Sequence, residues 1–135
     1  MKLVTFTFNG TTSIGAINGD HIVDFSDSSL PNNMIDFIAL GDQGIDTAKN
    51  LIDNSENKIE LSKAHLEAPI TKPSKILAVG LNYKEHQDEV AQTAAKTIGK
   101  AQEKYPNIFN KQNSSVNGPY DDVHRPRASE FLDYE

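Results

Sequence analysis

The chain contains no cysteine. That excludes disulfides, thiolate zinc sites and cysteine nucleophiles together, and it suits a reducing compartment. Arginine is scarce: Arg125 and Arg127 are the only two, so no arginine-rich face exists. Basic residues number 13 against 19 acidic ones, a formal charge of −6. Nucleic acid is therefore not the expected partner, since phosphate binding needs a basic surface. No run approaches the roughly 18 apolar residues of a membrane-spanning helix. Residues 1–6 also lack the apolar stretch of a signal peptide. The expected location is the cytoplasm, with no membrane partner. Apolar residues make up 37% of the chain, and its 8 glycines add little. On that count a self-sufficient domain usually reaches about 45–50%. The 135 residues suffice for one compact domain, or for a small domain plus part of another.

What is present organises into two halves. Residues 3–8 alternate apolar and hydroxyl side chains, the period of a half-buried strand. Asn9-Gly10 is a hairpin signal. Residues 13–17 read as the return strand, residues 18–20 as a second turn and residues 21–25 as a third strand, so the start is a β-meander. Asn33 and its neighbours open a helix whose apolar side is Met34, Ile35, Phe37, Ile38 and Leu40, with Gly41 as its stop. A second helix spans residues 42–54, with Ile45, Ala48, Leu51 and Ile52 at helical spacing. Residues 55–75 are polar, carry Pro69 and Pro73, and read as a short strand plus a linker. The domain boundary falls there, giving a small domain at 1–70 and a second portion at 71–135. Residues 76–79 are uninterruptedly apolar and read as a buried strand. Residues 83–104 are helix-prone, and Ile108-Phe109 reads as a strand. Residues 111–118 read as a polar loop, and 131–135 as the opening of a further strand. The fold class is α+β.

Four features carry chemical interest. His86 and Glu89, three apart behind a strand that ends in Gly80, share a helix face. A carboxylate there can orient an imidazole as a general base. A solvated first turn, with Glu85, Asp88 and Glu89 facing the helix dipole, explains the same residues. Lys111, followed by Ser114 and Ser115, offers a cation and hydroxyls to a carboxylate or oxyanion, although polar loops are common. Asp133 and Glu135 are two apart and would share a strand face, as metal ligands do. An exposed acidic strand end does the same. His124-Arg125-Pro126-Arg127 reads as a surface turn, and His21 and His65 as surface or satisfied residues.

Three ordered blocks resemble the fumarylacetoacetate hydrolase family. They are residues 76–83 with His86; Phe109-Asn110-Lys111 with Ser114-Ser115 and Gly118-Pro119; and Leu132-Asp133-Tyr134-Glu135. The first 70 residues also resemble the small domain that precedes the catalytic fold in many bacterial members. The resemblance implies the start of a mixed β catalytic fold after a β-meander-plus-helices domain. It implies a divalent-metal enzyme acting on oxo or β-diketo acids by C–C hydrolysis, decarboxylation or isomerisation. Magnesium is the expected metal, with manganese or calcium as alternatives. Glu135 matches the family's first metal ligand, His86 and Glu89 its water-activating pair, and Lys111 its substrate-facing lysine. Ser114 and Ser115 are expected to bind substrate with it.

The same resemblance sets further expectations. The other family metal ligands, a second Glu and a later Asp, would follow Glu135, so the chain reads as the first part of a longer protein. Family members are commonly dimers, so a homodimer is expected at full length. Residues 91–106 form a longer link than many members have, in a region that acts as a mobile lid. Leu81 stands where some decarboxylating members carry a basic residue, which weighs against oxaloacetate decarboxylation. The competing expectation is an inactive fragment or an interaction module.

Overall fold

A computed structural model describes residues 1–94 and 105–132. The chain divides into two compact units, Met1–Thr71 with Val116–Glu135, and Lys72–Ser115. In the first unit, β1 (Lys2–Phe8) and β2 (Thr11–Asn18) pair antiparallel from Lys2↔Ile17 to Phe8↔Thr11. The two loop residues between them, Asn9 and Gly10, have φ of 48° and 78°. Two left-handed residues in sequence are what a type I′ hairpin needs, and Asn-Gly adopts them at least cost. Strand β3 (His21–Asp24) pairs with β2 across a second two-residue loop.

Helices α1 (Met34–Ala39) and α2 (Asp42–Asn54) follow. The Asn33 side chain accepts a hydrogen bond from the Asp36 amide at 2.9 Å, capping α1. Gly41, at φ 57°, lies between the helices and is the N-cap of α2. The helices cover one face of the sheet. Ile14, Ala16, Val23, Phe25, Leu30, Met34, Phe37 and Ala48 form the core, with Leu3, Ile45, Leu51 and Ile52 packed against it. The Phe25 and Phe37 rings stack with centroids 6.0 Å apart, joining α1 to the end of β3. Ile35 and Ile38 are at least half exposed, so the buried side of α1 is narrower than the apolar residues suggest. The helix is only six residues long and presents one turn and a half to the sheet.

The segment expected to be mostly linker extends this sheet. Strand β4 (Lys58–Glu60) pairs with β3, and β5 (His65–Leu66) pairs with β1, giving a five-stranded antiparallel order β4-β3-β2-β1-β5. Its polar residues are legitimate in edge strands, which face water on one side. Gly15 is a necessary glycine, because a Cβ there would lie 2.4 Å from the Val23 carbonyl oxygen.

In the second unit, β6 (Ile76–Gly80) pairs antiparallel with β7 (Asn107–Lys111), and α3 (Lys84–Ala94) lies between them in sequence. Strand β6 is not buried as its apolar run suggests: Leu77 is 65% and Val79 46% exposed. Among the described residues it has one sheet neighbour, and its exposure alternates residue by residue. The expected continuation of this helix beyond residue 94 and residues 133–135 of the strand expected at 131–135 lie outside the described residues; residues 131 and 132 are not in a strand.

Among the described residues, every buried one lies between Thr5 and Ala68. Two outcomes follow. Phe37→Ala should lower stability by about 3–5 kcal/mol, read as a shift in denaturant midpoint. Amides of β6 should exchange with solvent well before those of Ile14–Ala16, read by hydrogen exchange and mass spectrometry.

Candidate functional site

The joint between β6 and α3 is tight. Leu81 has φ 54°, in the left-handed region that a residue with a Cβ rarely occupies. The Gln87 side-chain amide donates to the Leu81 carbonyl at 2.5 Å, and the Gln87 backbone amide donates to Tyr83 O at 3.0 Å. Three residues, 81–83, separate the strand end from α3, which starts directly behind it. His86 falls in the first turn of α3, and Glu89 one turn later. His86 Nδ1 lies 3.8 Å from Glu89 Oε2, with both side chains more than half exposed. That is an ion-pair distance and too long for a hydrogen bond.

Antiparallel register sets the rest of this unit. Gly80 faces Asn107 and Ile76 faces Lys111. Lys111 thus occupies the opposite end of the ladder from the turn into α3, four residues or about 13 Å along the strand. Its Nζ sits 5.7 Å from the Phe109 ring centroid, within cation–π range. Ser114 and Ser115 belong to a 3-10 turn, Asn113–Ser115. The Ser115 hydroxyl donates to Gln112 O at 2.7 Å, and its amide donates to the same oxygen at 2.9 Å. A hydroxyl has one proton to give, so Ser115 can only accept in this geometry. Glu135 and Asp133 lie outside the described residues, as do residues 95–104 of the expected lid.

A second cluster, which the sequence reading passes over, lies in the first unit. His65, Glu67 and Asp121 bring one ligand atom each to within 4.8 Å of one another. His65 Nε2 is 3.2 Å from Asp121 Oδ1. The His-x-Glu spacing on a strand was a visible signal, of the same kind as Asp133-x-Glu135. Asp121 is distant in sequence and carried none.

Comparison with known proteins bears on the whole chain. Residues 75–135 match the family model described as fumarylacetoacetate (FAA) hydrolase C-terminal. The mitochondrial oxaloacetate tautomerase fahd2 of Xenopus laevis is 34% identical over 141 residues, covering 100% of this chain and 42% of the relative. A fumarylacetoacetate hydrolase domain-containing protein 2 homolog from Dictyostelium discoideum is 35% identical, covering 100% of this chain and 44% of the relative. The chain thus spans less than half the length of these relatives. In structure it is similar to a maleylpyruvate hydrolase from Sphingobium sp. SYK-6, solved with manganese(II) and pyruvate. There the TM-score is 0.62 at 24% identity, over 94% of this chain and 43% of that one. That likeness shows a shared mixed α/β fold. Among the described residues, no helix is long and apolar enough to cross a membrane.

The strained joint makes its own prediction. Leu81→Val adds β-branching to a left-handed residue and should cost about 1 kcal/mol or more. Leu81→Asn, which tolerates that region, should not. Thermal melts followed at helical wavelengths separate the two.

Proposed function

We propose that this protein, a member of the fumarylacetoacetate hydrolase family, is an enzyme that hydrolyses or isomerises a small oxo or β-diketo acid. The observation that carries this reading is the His86–Glu89 pair on α3, immediately behind a strand end and inside the segment that matches the family model. The names of the relatives point the same way. Oxaloacetate is a 2-oxo acid, and the solved hydrolase holds pyruvate, another.

Tautomerising a 2-oxo acid removes a proton from the carbon beside the carbonyl and delivers one to oxygen. Hydrolysing a C–C bond beside a carbonyl begins by taking a proton from water. Both need one positioned base, and His86 fills that role. Glu89 orients the imidazole; their 3.8 Å contact must shorten to about 3 Å when substrate binds, as catalytic contacts often do. Lys111 binds the substrate carboxylate or the developing oxyanion. Ser114 assists it. Ser115 does so only after its hydroxyl leaves Gln112 O.

Glu135 is one ligand of a divalent cation in this reading, magnesium by family resemblance. Such a cation, when bound, would grip the 2-oxo carboxylate and stabilise the enolate. Hard cations take six or more oxygen ligands, so Glu135 alone does not make up the site, and no step here is routed through the metal. The whole protein is proposed as a homodimer.

In the full-length protein, His86→Ala should cut kcat by about 100-fold or more while KM changes little. Lys111→Ala should mainly raise KM. Both are read from loss of β-diketo acid or oxaloacetate-enol absorbance. Unchanged turnover in His86→Ala would overturn the assignment of the base.

A further inference from the structure

We propose that His65, Glu67 and Asp121 form a binding site for a divalent transition cation, with zinc the best fit. The site is independent of the His86–Glu89 chemistry and shares no residue with it.

The sheet builds two of the three ligands. Thr7 pairs with His65 and Phe6 with Leu66 in the β1–β5 ladder, and the Glu67 amide donates to Thr5 O at 2.9 Å, carrying the ladder one residue further. His65 and Glu67 are two apart on this extended backbone and share a face. The third ligand comes from the turn at 118–121. Gly118 N–H donates to Asp121 Oδ2 at 2.9 Å, and the Asn117 side-chain amide donates to the carbonyls of Asp121 and Asp122 at 3.1 and 3.2 Å. These contacts leave Asp121 Oδ1 turned to His65 Nε2, 3.2 Å away.

Ligand type and spacing both suit zinc. Tetrahedral zinc holds nitrogen and oxygen at about 2.0–2.2 Å, which separates neighbouring ligand atoms by roughly 3.3–3.6 Å. The His65–Asp121 edge is already near that length, and all three ligand atoms fall within 4.8 Å. An imidazole beside two carboxylates favours a borderline cation over the all-oxygen shells of magnesium or calcium. Three protein ligands leave a fourth position open to water, and His65 is half exposed.

The outer contacts are those of a supported site. The Thr7 hydroxyl donates to Glu67 Oε1 at 2.6 Å, and Gly118 N–H holds Asp121, so each carboxylate is oriented from behind while keeping lone pairs for a cation. Residue 118 must be glycine for this: a Cβ would stand 2.6 Å from Asp121 Oδ2. Asp121 pairs with His65, and the two lysine ion pairs of the first unit, Lys49–Asp46 and Lys63–Glu60, involve neither Glu67 nor Asp121.

The test is zinc titration of the 135-residue chain by calorimetry, with cobalt(II) substitution read in the visible spectrum. One zinc per chain is expected, with a cobalt spectrum of low coordination number. Glu67→Gln and Asp121→Asn, which preserve shape, should each weaken zinc by about 10-fold or more, and Thr7→Val by a comparable factor through the outer contact. Glu135→Gln should leave the zinc affinity of the His65–Glu67–Asp121 site as in wild type, which separates this site from the one assigned to the family metal. Equal zinc affinity in wild type, Glu67→Gln and Asp121→Asn would overturn the proposal. So would a wild-type chain that binds no zinc. His65→Ala is informative only if its circular dichroism matches wild type; the two shape-preserving variants decide the matter regardless.

Discussion

Antiparallel register constrains both units more tightly than any single side-chain contact. A one-residue slip turns every side chain of a strand to the other face. In the first unit, the slip-free pairing of β1 with β2 holds Leu3 opposite Ala16, and the pairing of β2 with β3 holds Ala16 opposite Val23. That row is what α1 and α2 cover. The same β1 strand, pairing on its other edge, presents His65 and Glu67 together beside Thr7. In the second unit, the β6–β7 register puts the turn into α3 at one end of the ladder and Lys111 at the other.

Packing and chemistry are divided unevenly. The buried side chains, including the Phe25–Phe37 stack, belong to the meander and its helices. The segment that matches the family model contributes exposed side chains, polar ones and apolar ones such as Leu77, Tyr83 and Phe131 alike, with a two-stranded ladder and one described helix. Among the described residues that segment buries no side chain, and the core lies within residues 5–68. Leu81 shows a local cost of that arrangement: a left-handed residue with a side chain stands where the strand must turn sharply into α3.

Local chemistry was legible in the residues. Asn9-Gly10 announced its hairpin, Asn33 its cap, and the spacing of Ile45, Ala48, Leu51 and Ile52 gave the bounds of α2 that the structure has. The helix-face relation of His86 and Glu89 was equally readable from an interval of three. What depends on distant partners was not. Apolar Ile76–Val79 looked buried because a sequence does not count sheet neighbours, and β6 has one among the described residues. His65 looked idle because its partner, Asp121, arrives from 56 positions away through a turn that Gly118 makes room for. Residues 55–75 read as one short strand plus a linker, where the structure has two edge strands, β4 and β5, because edge strands need no apolar alternation.

The β1–β5 pairing also orders events in time. The β1–β2 and β2–β3 hairpins close over two-residue loops and can form at once. Thr7 and Glu67, by contrast, are 60 positions apart. Their contact must wait for a long loop to close, a step whose entropy is lost before any pairing repays it. The meander can therefore assemble as a nucleus while its last edge is still searching. The His65–Glu67–Asp121 corner, made from that edge and a still later turn, is then among the last features of the first unit to exist as the chain folds.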